Sequence, residues 1–120
     1  MRLGLDLIEI ARVRRALERH GDDFRERCFT EAEREYCDAK PNPAQHYAGR
    51  FAAKEAVGKA IGTGVYFTWK EIEIRGRPKP GVHLSGRTKE WADRVGATRI
   101  ELSMTHSREL AAAVAVALDT

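Results

Sequence analysis

The sequence predicts an α+β domain, and three observations carry that prediction. Helical spacing dominates the first half of the chain, and two-residue alternation dominates the second. The last two alternating runs are separated by only three residues, "SRE", which requires an antiparallel hairpin. Helices early and a strand meander late define the α+β class.

The elements follow in order. Residues 3–10, "LGLDLIEI", form an apolar run with β-branched residues towards its end, which predicts a buried strand. Residues 11–20, "ARVRRALERH", predict a helix closed by Gly21. Thr30 followed by Glu33 is a capping box that starts a helix reaching about Ala39. Asn42 and Pro43 start a longer helix, with Pro at its first position and Gln45 at its third. It runs to about Ile61 and stops at Gly62, Thr63 and Gly64. "WKEIEIR" (69–75) alternates around Trp69, Ile72 and Ile74 and predicts a strand. "GRPKPG" (76–81) is a loop, "VHL" (82–84) a short strand, and Ser85 caps a helix reaching Val95 that Gly96 closes. "RIELSMTH" (99–106) and "LAAAVAVAL" (110–118) are the hairpin strands. The second is alanine-rich, but its Val-Ala-Val alternation decides for β.

At 120 residues the chain predicts a single domain, 1–120, able to bury roughly two thirds of its unfolded surface. Apolar content of 42% with charged content of 32% excludes a disordered chain. No apolar run reaches the roughly 18–20 residues of a membrane span, and the N-terminus lacks a signal-peptide cleavage site. A net charge of +3 permits an acidic partner without requiring nucleic acid. Cys28 and Cys37 are not in a C-x-x-C arrangement, which favours reduced thiols in a cytoplasmic protein.

Several charged positions ask for an explanation. On the long helix, Ala52, Ala53, Ala56, Val57, Ala60 and Ile61 span one broad face of small side chains. Glu55 and Lys59 fall at its border, four apart. They read either as a surface pair worth about 0.2–0.5 kcal/mol or as part of a site. Arg50 and Lys54 are like charges at the same spacing, and no anion lies near them in sequence. Asp6 interrupts a strand and shares a face with Gly4, Ile8 and Ile10, opposite Leu3, Leu5 and Leu7. A buried-face carboxylate requires a cation, a metal or several N–H donors. Asp6 and Glu55 together suit Mg²⁺, which takes one or two carboxylates, waters and phosphate oxygens. Lys59, one turn later, would meet a phosphate, with Arg50 and Lys54 adding positive charge.

Arg12, Arg15 and Arg19 share one face of the first helix and read as a solvated face or as a stripe that docks an acidic partner. Arg77 and Lys79 stand on the "GRPKPG" loop. His106 ends a strand beside Ser103, Thr105 and Ser107, where it is a structural hydrogen-bonder, a phosphate contact or a base. His20, His46 and His83 show no partner spacing and are assigned no role.

"GLDLIEIARV" (4–13), "FTEAEREYC" (29–37), "GRFAAKEAVGKAIGTG" (49–64) and "SMTHSRELAAAVAVA" (103–117) resemble, in order and end to end, the signatures of the holo-acyl-carrier-protein synthase family. These are the small bacterial-type 4'-phosphopantetheinyl transferases; residues 65–98 match only loosely. The resemblance implies the family's fold, an antiparallel sheet packed on a long central helix with additional short helices. It implies transfer of 4'-phosphopantetheine from coenzyme A to a serine of apo acyl carrier protein, in fatty acid or polyketide synthesis, releasing adenosine 3',5'-bisphosphate. It assigns Mg²⁺ (or Mn²⁺) to Asp6 and Glu55, pyrophosphate to Lys59, and nucleotide phosphates to Arg50, Lys79 and His106. It gives Arg12 a carrier contact and implies a homotrimer with coenzyme A bound between subunits. The rival readings are a coenzyme A-binding relative without turnover and a small basic nucleic-acid-binding module. The absence of paired aromatics on a strand argues against the second.

Overall fold

The structure, a computed structural model, describes residues 1–62, 68–76 and 79–119. The helix stop at Thr63 and Gly64 and the loop residue Arg77 lie outside them. Strand β1 (Arg2–Glu9) pairs antiparallel with β5 (Leu110–Leu118), which pairs antiparallel with β4 (Arg99–His106). The strand order is therefore β1-β5-β4, and the hairpin expected across "SRE" joins its last two members. The period-two alternation divides this sheet into two faces. Gly4 and Ile8 with Ala111, Ala113, Ala115 and Ala117 are buried on one; Leu3, Leu5 and Leu7 are 63–67% exposed on the other.

Helix α3 (Pro43–Ile61) lies on the buried face and contributes Ala52, Ala53, Ala56, Val57, Ala60 and Ile61. Pro43 supplies its first turn, and Gly62, in the left-handed region at φ 74°, closes it. The contact between β1 and α3 is closer than a side chain allows. A Cβ added at Gly4 would sit 1.8 Å from the Ala56 carbonyl oxygen and 2.7 Å from the Ala60 nitrogen. Only glycine fits there, which brings the strand carrying Asp6 down onto the helix carrying Glu55 and Lys59.

The remaining elements brace α3. Helix α1 (Ile10–Cys28) does not end at Gly21 as expected. Gly21 adopts φ 47° and kinks the helix, which then resumes, because residues 22–28 contain no further stop signal. Helix α2 (Glu31–Asp38) starts with the predicted capping box: Glu33 N–H donates to Thr30 Oγ1, and Thr30 N–H donates to Glu33 Oε1. Phe24, Phe29 and Tyr47 stack edge-on or tilted, with Phe51 flat against Trp69 at 4.5 Å, and this aromatic cluster joins α1 and the residue that ends it to α3 and Trp69. Fully burying a ring, as at Phe29 and Tyr47, is worth about 1.5–3 kcal/mol.

A second, two-stranded antiparallel sheet comprises β2 (Ile72–Arg75) and β3 (Gly81–Leu84), followed by α4 (Gly86–Arg94). Residues Trp69–Glu71 form a 3₁₀ turn rather than the start of the strand. The reason is Glu71. Its carboxylate accepts the N–H groups of Arg87 and Thr88 and the Thr88 hydroxyl, capping α4 in place of the side chain of Ser85.

Candidate active site

Asp6 points from the middle of β1 to the helix-facing side of the sheet, and its side chain is 16% exposed. Lys59 Nζ lies 3.1 Å from Asp6 Oδ1 and donates as well to the Leu5 carbonyl oxygen at 2.9 Å. Glu55 lies one helical turn before Lys59 and feels the same field. Burial raises its carboxyl above the ordinary range, the Asp6 charge raises it further, and Lys59 pulls it back down. Two carboxylates and one ammonium from sequence positions some fifty apart thus converge across the β1–α3 contact. Two carboxylates with open surroundings suit Mg²⁺, which keeps waters and phosphate oxygens in its other positions. Among the described residues no group of three or more His, Cys, Asp or Glu offers a fuller protein cage.

A cleft of about 640 Å³, which Asp6, Glu55 and Lys59 do not line, is lined by Tyr36, Gln45, His46, Arg50, Thr105 and His106, among others. Arg50 is on α3, five residues before Glu55, or about 7.5 Å along the helix axis. It is 8% exposed, and its guanidinium lies 3.9 Å over the ring of Tyr36. Its Nε has no hydrogen-bond partner among the described residues. His106 ends β4 on the same sheet face as Asp6, and its Nε2 is 2.9 Å from Gln45 Nε2. This contact holds the imidazole in place, its donor and acceptor set by the tautomer.

Two expected site residues, and one that was assigned no role, are placed differently from the sequence reading. Lys54 adds no charge to the site. It is fully buried, with Nζ 2.7 Å from Glu33 Oε1 and donating to the carbonyl oxygens of Trp69 and Ile72. The anion missing from its sequence neighbourhood is the capping-box glutamate, which also accepts the Ile74 N–H. Lys79 does not line the cleft; its ammonium donates to Glu101 at 3.0 Å, on the sheet face opposite His106. His46, assigned no role, stands edge-on to Tyr36 in the cleft wall. Tyr36 and Gln45 were missed. The only signals were an aromatic inside a charged helix, and a glutamine one turn before Gly49 and Arg50.

Arg12, Arg15 and Arg19 are all exposed along α1, so the predicted stripe is a surface. Neither cysteine is a candidate nucleophile. Both are free and buried; burial raises the Cys28 thiol and pushes Cys37 up to about 12.

Compared with known proteins, this combination of fold and site defines a class of phosphoryl-group transferases. The family profile described as the 4'-phosphopantetheinyl transferase superfamily matches residues 2–115, and the chain belongs to that family. Within it the chain is similar to holo-[acyl-carrier-protein] synthases. It is 48% identical over 119 residues to that of Chlamydia felis, covering 97% of this chain and 95% of the relative. It is also 48% identical to that of Ruminiclostridium cellulolyticum, covering 97% and 90%. Among solved structures, the holo-[acyl-carrier-protein] synthase of Neisseria meningitidis superposes with a TM-score of 0.88 at 30% identity, covering 97% and 96% of the two chains. The Helicobacter pylori enzyme in complex with coenzyme A superposes at 0.83 and 31%, covering 96% and 98%.

Proposed function

We propose that the chain transfers 4'-phosphopantetheine from coenzyme A to a serine of apo acyl carrier protein, releasing adenosine 3',5'-bisphosphate. The observation that carries this reading is the convergence of Asp6, Glu55 and Lys59, with Glu55 and Lys59 on the same helix that places Arg50 in a cleft. Coenzyme A carries two anionic features, a diphosphate and a 3'-phosphomonoester on the ribose. The Asp6–Glu55 pair with Lys59 matches the first, and the Arg50–His106 cleft matches the second.

Asp6 and Glu55 would hold Mg²⁺ or Mn²⁺, which when bound neutralises the diphosphate. Lys59, 53% exposed on a rigid helix, exchanges Asp6 for a phosphoryl oxygen and steadies the charge that builds as the diphosphate breaks. The carrier serine attacks the β-phosphorus, its oxygen forms the new P–O bond, and the bond to the adenosine bisphosphate breaks. The serine proton has its acceptor within the carboxylate pair. Arg50 and His106 anchor the nucleotide end, so the helix that aligns the diphosphate also fixes the leaving group. Lys79, held by Glu101 on the other side of the sheet, is not supported as part of that anchor by its position in this chain.

The carrier is acidic, and Arg12, Arg15 and Arg19 offer it a complementary stripe. The outer sheet face, with Leu3, Leu5 and Leu7 beside Val114, is apolar and open, which supports burial against further copies of the chain as a homotrimer. No helix among the described residues is long and apolar enough to cross a membrane. The free thiols support a cytoplasmic location.

The test is incubation with coenzyme A, Mg²⁺ and an apo carrier protein, read by intact mass. The reading predicts a carrier mass increase of one phosphopantetheinyl group that requires the divalent cation. A carrier that keeps its apo mass, with coenzyme A bound but intact, would leave only a binding protein.

A further inference from the structure

Arg50 is a buried cation with no carboxylate partner among the described residues, and its Nε lacks any hydrogen-bond partner among them. Burying an uncompensated charge is costly, so something other than a salt bridge must hold it in place. The contact present is the Tyr36 ring face, 3.9 Å from the guanidinium carbon. An aromatic face attracts a cation through its quadrupole and leaves the net charge intact, whereas a carboxylate would cancel it. The second cleft base is held in the same manner. His106 is oriented by the amide of Gln45, also a neutral group.

We propose that Tyr36 and Gln45 are positioning residues that fix Arg50 and His106 while leaving their recognition of a phosphomonoester un-neutralised. Tyr36 comes from α2 and Gln45 from the first turn of α3, so two elements outside the carboxylate cluster set this end of the cleft. His46, edge-on to Tyr36 at 5.7 Å, backs the ring. This proposal rests on the reading that the 3'-phosphate of coenzyme A occupies the cleft. On that reading, the neutral braces determine how strongly the protein prefers coenzyme A to 3'-dephospho-coenzyme A.

The experiment compares KM and kcat for the two donors, with a saturating apo carrier, in the intact protein and in Tyr36→Leu, Tyr36→Phe, Gln45→Ala and Arg50→Ala. Tyr36→Leu raises KM for coenzyme A about tenfold, the value of a desolvated cation–ring contact, with KM for the dephospho donor and both kcat values little changed. Tyr36→Phe keeps the ring face and restores the preference. Gln45→Ala loses part of it. Arg50→Ala is the control on the underlying reading: if it leaves the preference for coenzyme A intact, the phosphomonoester does not sit in this cleft. If Arg50→Ala abolishes the preference and Tyr36→Leu keeps it, the cleft assignment stands and the brace is overturned. Thermal unfolding of each variant accompanies the kinetics. A Tyr36→Leu protein that unfolds early and loses both donors equally would mark Tyr36 as purely structural and would also overturn the proposal.

Discussion

Helix α3 carries two lysines five residues apart whose replacement by methionine should have opposite consequences. Lys54 is fully buried and holds Glu33, itself fully buried, at 2.7 Å. Lys54→Met leaves the Glu33 carboxylate in the core with, among the described residues, only the N–H groups of Thr30 and Ile74. Removing one partner of such a pair costs about 3–5 kcal/mol. Two carbonyl oxygens, of Trp69 and Ile72, also lose their donor. For a chain of this length that loss lowers Tm by about 10–20 °C, or unfolds a marginal protein outright. Lys59 is 53% exposed, and its bond to Asp6 is worth about 0–1 kcal/mol, so Lys59→Met moves Tm by a few degrees at most. Its effect falls on turnover, where losing a cation from the diphosphate should cost about a hundredfold or more in kcat. The assays are urea unfolding and phosphopantetheinyl transfer on the same preparations. A Lys54→Met protein as stable as the parent, or a Lys59→Met protein with normal kcat, would refute the division of labour drawn from burial and partners.

Arg12→Glu should raise the KM for apo carrier about tenfold or more and leave the coenzyme A KM nearly unchanged, since none of the three arginines lines the cleft; equal losses in both would refute docking there. Leu5→Glu places a charge in the 67%-exposed apolar outer face and should convert a trimer to monomers by light scattering, with no change expected if that face is free in solution. Glu55→Gln should stabilise the chelator-treated protein at about pH 7 and not at about pH 4. Burial raises this carboxyl in the folded state, so the unfolded chain releases its proton first, and stability falls as pH rises through the folded value. A gain in Tm independent of pH would contradict the burial argument.

Local signals were legible in the sequence, and signals made by distant residues were not. The Thr30–Glu33 capping box and the Pro43 helix start depend on neighbours three or four residues apart, and both formed as read. The inward placement of Asp6 follows from strand alternation, and that of Glu55 and Lys59 at the border of the alanine face follows from helical spacing. Two independent periodicities therefore sufficed to bring the cluster together. The second task of Glu33, neutralising Lys54 from another helix, has no local trace. Lys54 consequently looked like part of a cationic site. Glu71 was read into a strand by alternation, but its capping of Arg87 and Thr88 draws the backbone into a 3₁₀ turn. Gly21 looked like a helix end because a positive φ there is common to stops and kinks. Gly4 was visible as part of a motif, but its reason, the Ala56 carbonyl oxygen against its Cα, exists only in the packed structure.

If Asp6 and Glu55 form the reaction centre, neutralising both must stop the transfer. The double variant Asp6→Asn, Glu55→Gln keeps the shape of each side chain and leaves the alanine face intact. Incubated with coenzyme A, Mg²⁺ and apo carrier, it should fold normally yet leave the carrier at its apo mass. Carrier converted at the parent rate would contradict the claim that these two carboxylates form the reaction centre.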